Sequence, residues 1–246
     1  MSRLYPVPGY GKFINYAHRG ASEYAPENTL ISFYTGIFMG ANGIETDVQR
    51  TKDGVLVLFH DDTLDRVTGQ PGSVADYTFD ELQQFRVKKG DLTDAIVRFE
   101  DFLRLFGWRA LTFAIELKVP DTEENVAALI RTYGVEEKVV ITSFHFDNIR
   151  RMRTVAPELR CGFLCVRPTE ERLAEMKELG VSEICPKATD MTAADAARWH
   201  AMGLNVRAWG VANEEVMRRA VEAGADGMTV NFPDKLTAYI TEKRGE

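Results

Sequence analysis

From Phe13 to Val230 short apolar runs alternate with longer amphipathic stretches, and few folds satisfy that order. The apolar runs are Phe13–Ala17, Gly43–Val48 with Val55–Phe59, Leu111–Leu117, Val139–Ser143, Cys161–Val166, Glu183–Cys185, Asn205–Trp209 and Gly227–Val230. Their side chains are apolar in runs, as in parallel strands buried on both faces. Between them, Glu27–Gly40, Thr122–Tyr133, Phe146–Val155, Glu170–Leu179, Ala193–Met202 and Glu214–Ala223 read as helices. In the first of these, Asn28 is a plausible cap and Leu30, Phe33, Ile37 and Phe38 share a face. Gly134, Gly180, Gly203 and Gly224 each follow a helix where a left-handed C′ residue is expected.

Repeated β-then-α order fits both a closed barrel and an open doubly wound sheet. Counting Gly43–Val48 with Val55–Phe59 as one position gives eight strand positions in 246 residues. That is close to the ~250 residues of a typical (β/α)8 TIM barrel, so the barrel is favoured. With no linker-like run between Phe13 and Ile240, residues 1–246 are expected to form one domain. Asp61–Asp94 breaks the rhythm with Thr68-Gly69-Gln70-Pro71-Gly72, Thr78–Phe85 and a polar run. It reads as an insertion after the second strand unit, with one short helix around Phe79–Phe85.

The net charge of -7 and the lack of a basic stripe argue against a nucleic-acid partner. Arg150, Arg151 and Arg153 form a short cluster that reads as a solvated helix face. No run reaches the ~18 apolar residues of a membrane span, so no stable membrane anchor is expected. Met1–Gly11 carries no apolar run of signal-peptide length. Three cysteines, Cys161, Cys165 and Cys185, make an odd number and read as reduced, buried thiols of a cytoplasmic protein. Nothing in the sequence specifies an oligomeric state.

Charges appear where strands should be apolar. Glu45 and Asp47 in Gly43-Ile44-Glu45-Thr46-Asp47-Val48 are two apart and so share one strand face. Two buried carboxylates repel and lose hydration, at a cost of roughly several kcal/mol per ion unless compensated. A divalent cation would compensate them. Glu116 and Lys118 repeat the spacing at the end of another strand. Solvated strand termini explain either pair alone, but they explain the matched pairs together poorly.

His18 and His60 each follow a strand, at the C-terminal rim where barrel enzymes keep their catalytic groups. Together they suggest an acid and a base. Arg19 offers a planar fork for phosphate oxygens and Lys118 a point charge, although salt bridges to the carboxylates are the alternative use of both. His145 and His200 lie in or beside helices and read as structural or surface residues. Pro26-Glu27-Asn28-Thr29 reads as a helix start, with Glu27 placed to buttress Arg19. Trp209 is either rim packing or an apolar wall of a substrate pocket.

Taken in order, His18-Arg19-Gly20, Pro26-Glu27-Asn28-Thr29, Glu45-Thr46-Asp47-Val48, His60-Asp61-Asp62-Thr63-Leu64-Asp65-Arg66 and Glu116-Leu117-Lys118 resemble the glycerophosphodiester phosphodiesterase family. Ser143-Phe144, Ala208-Trp209 and Asp226-Gly227 extend the likeness over nearly the whole chain. The resemblance implies a TIM barrel with its insertion at residues 61–99. It implies Glu45, Asp47 and Glu116 as metal ligands, His18 and His60 as the acid–base pair, and Arg19 and Lys118 on the phosphate. Three oxygen donors suit one hard cation, Mg2+ or Ca2+. The expected reaction is hydrolysis of a small-molecule glycerophosphodiester to glycerol 3-phosphate and an alcohol. Two rivals remain open at this level: a lipid-directed lysophospholipase D or phospholipase C-like enzyme, and a phosphate-binding barrel without turnover. Val97-Arg98-Phe99, Trp209-Gly210-Val211-Ala212 and Asn231, where an aspartate is common, depart from the family pattern; none is expected to touch the proposed ligands or histidines, so they bear on the alcohol pocket rather than the chemistry.

Overall fold

The computed structural model describes residues 13–244; Met1–Gly11, read above for a signal segment, lies outside them. The chain runs β1 (Ile14–His18), α1 (Leu30–Phe38), β2 (Gly43–Arg50), β3 (Leu56–Leu58), α2 (Asp65–Thr68), α3 (Phe79–Leu82), β4 (Val87–Lys89), β5 (Leu92–Asp94) and α4 (Phe99–Phe106). It continues with β6 (Thr112–Leu117), α5 (Glu123–Tyr133), β7 (Val139–Ser143), α6 (Phe146–Val155), β8 (Arg160–Cys165), α7 (Glu170–Glu178), β9 (Glu183–Pro186), α8 (Ala193–Ala201), β10 (Asn205–Val211), α9 (Glu214–Glu222), β11 (Gly227–Val230) and α10 (Pro233–Arg244).

The sheet order is β1-β11-β10-β9-β8-β7-β6-β2, and β1 also pairs with β2, which closes a barrel of eight parallel strands. The ninth strand, β3, pairs antiparallel with β2 through Val48↔Leu58 and stays outside the ring. That is why Gly43–Val48 and Val55–Phe59 fill one barrel position. The fold is the expected (β/α)8 TIM barrel. Parallel closure buries both strand faces, and β7 is buried along its whole length.

Phenylalanines tie the first helices to the barrel. Phe102 on α4 meets Phe33 of α1 at 5.1 Å between ring centroids and Phe113 of β6 at 5.3 Å. Both contacts are edge-on, the geometry the aromatic quadrupole favours. The insertion has its own apolar core of Val57, Phe59, Leu64, Val67, Val74, Phe79, Leu82, Val87 and Ile96. Because Val57 and Phe59 flank β3 residues, that core fixes the loop leaving β3.

Three sequence expectations need correction. The helix expected over Glu27–Gly40 is Leu30–Phe38, and its cap is Thr29, whose side chain accepts from the Ser32 amide. Asn28 instead sits in the left-handed region at φ 56°, turned into the barrel. The insertion holds two short helices, a 3-10 turn and the hairpin β4–β5, rather than one helix with a polar run. Lastly, α4 and α10 went unread. Phe99, Phe102, Leu103 and Phe106 show the full i, i+3, i+4, i+7 helical spacing, hidden because that stretch adjoins the insertion.

Cys161, Cys165 and Cys185 are free and buried. Burial pushes the Cys161 and Cys165 thiols up to about 12 and raises Cys185 well above its ordinary value. The thiolate is the reactive form. A thiol reagent such as DTNB is therefore expected to leave the native chain unmodified at pH 8. In denaturant all three cysteines should react. Rapid stoichiometric labelling of the native chain would contradict this packing.

Candidate active site

The C-terminal ends of β1, β2 and β6 meet at one rim and carry most of the charged residues singled out above. Glu45 and Asp47 point into the barrel from β2, and Glu116 joins them from β6, where Asp47 and Glu116 are register partners. One oxygen from each of the three carboxylates lies within 4.8 Å of the others. All three are buried. The expected convergence of acids from separate strands is met.

Two cations face this cluster. Lys118 Nζ lies 2.7 Å from Glu116 Oε1 and 3.3 Å from Asp47 Oδ1. Arg19 Nε lies 3.3 Å from Asp47 Oδ2. Burial alone would raise the Asp47 carboxyl, but Lys118 and Arg19 outweigh it and hold the group well below its usual range. Glu45 and Glu116 are raised, first by burial and then by their acidic neighbours. The two positive side chains therefore do not fully compensate three acids. Asp47 Oδ1 is buried and accepts no hydrogen bond, its one close cation being Lys118 Nζ in an ion-pair contact at 3.3 Å. A set of three oxygen donors, one of them short of a hydrogen bond, suits a hard divalent cation.

The loop from β1 to α1 is shaped to present these groups. Arg19 adopts φ 54°, and its amide donates to the Glu45 carbonyl and carboxylate. Gly20 has φ +82°, and a Cβ there would collide with Ser32, which accounts for the glycine in His18-Arg19-Gly20. Asn28 Nδ2 donates to Asp47 Oδ2 at 2.8 Å, and its Oδ1 accepts from the Thr46 hydroxyl at 2.7 Å. A residue read as a cap thus supports the acidic cluster.

The histidines stand on either side. His18 Nδ1 donates to Asn231 Oδ1 at 2.5 Å, an oxygen that also accepts from the Ser22 hydroxyl, so contrary to expectation one departure from the family pattern touches a histidine. His60 Nδ1 donates to Asp61 Oδ1 at 2.7 Å. Each ring keeps Nε2 for the cleft, and the side chains are 30% and 31% exposed. Burial and the Arg19 charge push the His18 imidazole down to about 4, and burial also lowers His60. Both rings are therefore mainly neutral near pH 7 in the free protein.

A cavity of about 290 Å³ lies between the imidazoles, lined by His18, Arg19, Glu45, His60 and Glu116 on one side. Phe144, Leu164, Trp209 and Val211 form the other. Trp209 is held edge-on to Phe144 at 4.8 Å, and its indole donates to the Cys165 carbonyl, so it is a cavity wall. A second lobe adjoins through His60, Glu116 and Phe144 and adds Lys118 and His145. His145, read as structural or surface, thus borders the cleft. Sequence reasoning also missed Arg207, a buried arginine under the cavity that donates to Glu183 and Thr229. A charge inside Asn205–Trp209 was its signal.

The sequence profile described as "Glycerophosphoryl diester phosphodiesterase family" matches residues 18–235. The chain belongs to this family. A glycerophosphodiester phosphodiesterase of Caldanaerobacter subterraneus is 32% identical over 91% of this chain and 96% of its own. One of Bacillus altitudinis is 32% identical over 93% and 98%. The crystal structure of a glycerophosphodiester phosphodiesterase from Agrobacterium tumefaciens covers 92% of this chain and 99% of its own, with TM-score 0.77 and 28% identity. The chain is thus an enzyme of the phosphodiesterase class. Among the described residues, no helix is long and apolar enough to cross a membrane.

His18 tests the electrostatics. Asn231→Asp would set a carboxylate against its Nδ1, and a nearby negative charge favours imidazolium. The His18 pKa should rise from its depressed value, as read by NMR titration of the imidazole in divalent-free protein. An unchanged or lower value would contradict this hydrogen bond.

Proposed function

We propose that this chain hydrolyses glycerophosphodiesters to glycerol 3-phosphate and an alcohol, with a divalent cation and the His18–His60 pair. The observation that carries the reading is the placement of two hydrogen-bonded imidazoles in one cavity beside three buried, under-compensated carboxylates. The names of the relatives that match along nearly their full length support the substrate class.

Glu45, Asp47 and Glu116 would hold the cation, and their oxygen set favours Mg2+ or Ca2+. When bound, a divalent cation supplies Lewis-acid polarisation of a phosphoryl oxygen. The protein side chains do the rest. Arg19 and Lys118 border the cleft and oppose the charge that grows on the non-bridging oxygens. One imidazole Nε2 takes a proton from the attacking oxygen, that of water or of a neighbouring substrate hydroxyl whose cyclic phosphate water then opens, while the other, protonated, gives one to the departing alkoxide. An arriving phosphate anion raises both imidazoles, so the depressed values of the free protein favour the base and leave the acid to be charged on binding. Phe144, Leu164, Trp209 and Val211 exclude water on the alcohol side. The organic head group, the choice of ion and a cytoplasmic setting belong to this proposal.

A second, lipid-directed reading draws on the same apolar wall and on Val166, which is 53% exposed beside it in sequence. A lysophospholipid assayed beside glycerophosphocholine separates the two. Preferential turnover of the lysophospholipid would favour the lipid-directed enzyme.

The deciding experiment incubates the chain with a panel of glycerophosphodiesters in Mg2+ or Ca2+ and measures release of glycerol 3-phosphate. His18→Ala and His60→Ala should each lower kcat by about 10²–10⁴-fold with an unchanged circular dichroism spectrum. Near-normal turnover in both would end the acid–base assignment. Chelation should abolish activity and add-back restore it. Divalent ion should also raise Tm, since binding only the folded state adds stability with concentration. Full activity in rigorously metal-free protein would remove the ion from the proposal.

A further inference from the structure

Arg66 and Glu27 lie in the matched motifs, yet the reaction just described assigns neither a task. Arg66 is the second residue of α2, at the edge of the cleft, and its side chain is 51% exposed. Its guanidinium nevertheless makes four hydrogen bonds to two carboxylates. Nε donates to Asp61 Oδ2 at 2.5 Å and Nη2 to Asp61 Oδ1 at 2.9 Å. Nη1 donates to Glu27 Oε2 at 2.8 Å and Nη2 to Glu27 Oε1 at 2.6 Å. The same Asp61 Oδ1 accepts from His60 Nδ1, and the same Glu27 Oε1 accepts from Arg19 Nη1 at 2.8 Å. One planar fork therefore ends two chains of contacts, one reaching an imidazole and the other a phosphate-facing guanidinium.

Glu27, His60 and Asp61 bring ligand atoms within 4.8 Å of one another and could be taken for a second metal site. The Arg66 guanidinium already lies between Glu27 and Asp61 and supplies the positive charge there. Lysine could not substitute, because a point charge lacks the fixed pair of donor directions that two bidentate contacts require. The three elements joined are the loop after β1, the loop after β3 and the start of α2. Nothing in their backbone hydrogen bonding joins Glu27 to Asp61 directly.

We propose that Arg66 is a positioning residue that sets His60 through Asp61 and Arg19 through Glu27, coupling the proton-transfer group to the phosphate clamp. This rests on the hydrolysis proposed above. The two arms have separate kinetic signatures. Orientation of His60 is felt in the chemical step, and orientation of Arg19 in the binding of the phosphodiester. An exposed ion pair adds little stability by itself, so the fold is not expected to need Arg66.

The test is a set of double-mutant cycles with glycerophosphocholine, Mg2+ and release of glycerol 3-phosphate. Arg66→Gln should lower kcat by about 10–100-fold, the range for losing an outer hydrogen-bonding partner, and should raise KM. In an Asp61→Asn background the same substitution should cost no further kcat. In a Glu27→Gln background it should cost no further KM. A merely structural role would give losses that multiply in both backgrounds, and that result would overturn the proposal. So would a kcat and KM for Arg66→Gln equal to those of the parent chain. Should Arg66→Gln fail to fold, Arg66→Lys is put through the same two backgrounds and judged by the same rule. If the parent chain releases no glycerol 3-phosphate from any member of the glycerophosphodiester panel in Mg2+ or Ca2+, hydrolysis itself is refuted and the positioning role falls with it. Parent turnover with multiplicative losses refutes the positioning role alone.

Discussion

Three carboxylates buried at one rim of a barrel are an unfavourable arrangement, and much of the surrounding structure responds to it. Two of them stand on adjacent same-face positions of β2 and the third on its parallel neighbour β6, so the strand register itself forces the approach. Lys118, Arg19 and Asn28 all turn toward Asp47, the acid at the centre. They leave Glu45 and Glu116 raised and one Asp47 oxygen without a hydrogen bond. The protein retains this incomplete neutralisation although apolar residues would pack the rim at lower cost. A site kept short of positive charge is poised to gain it from outside.

The backbone carries a related cost nearby. Arg19 and Asn28, two of the three non-glycine residues with positive φ among those described, both flank the acidic cluster. Each would be more relaxed elsewhere in φ/ψ space, at a cost of order 1–3 kcal/mol per residue. The strain is tolerated because both side chains are fixed from several directions at once. Arg19 is held by Glu27 and Asp47, and Asn28 by Asp47 and Thr46. Strain and under-compensated charge therefore lie together at the C-terminal end of the barrel.

This clustering also explains what could be read from the sequence. A buried strand tolerates charge so poorly that Glu45, Asp47, Glu116 and Lys118 stand out against apolar neighbours, and the period of two assigns them a face. The barrel was legible for the same reason, since both faces of its strands are apolar in runs. Asn28 was misread because asparagine before a helix is a good cap, and only the tertiary demand from Asp47 turns it inward. The hairpin β4–β5 was unreadable because its exposed polar strands bury little and show no hydrophobic alternation. The convergence of Arg66 on both Glu27 and Asp61 has no local signal at all, because it joins residues 39 and 5 positions away across two loops.

The cleft divides along the chain as well as in space. The first strands, β1, β2 and β6, bring the acids, His18 and the cations, with His60 on the loop after β3. The later strands β8 and β10, with the loop after β7, bring Leu164, Trp209, Val211 and Phe144. Changes in the second half can therefore reshape the apolar wall without disturbing the charged groups, and that wall is where Gly210 and Ala212 depart from the family pattern. Asn231 is the exception that joins the halves. It belongs to the last βα loop, yet its side-chain oxygen fixes the Nδ1 tautomer of His18 on the first strand. An asparagine there orients the ring without adding negative charge, whereas an aspartate would orient it and also favour its protonated form. The asparagine thus keeps the geometry of His18 while leaving it a weaker base than an aspartate would.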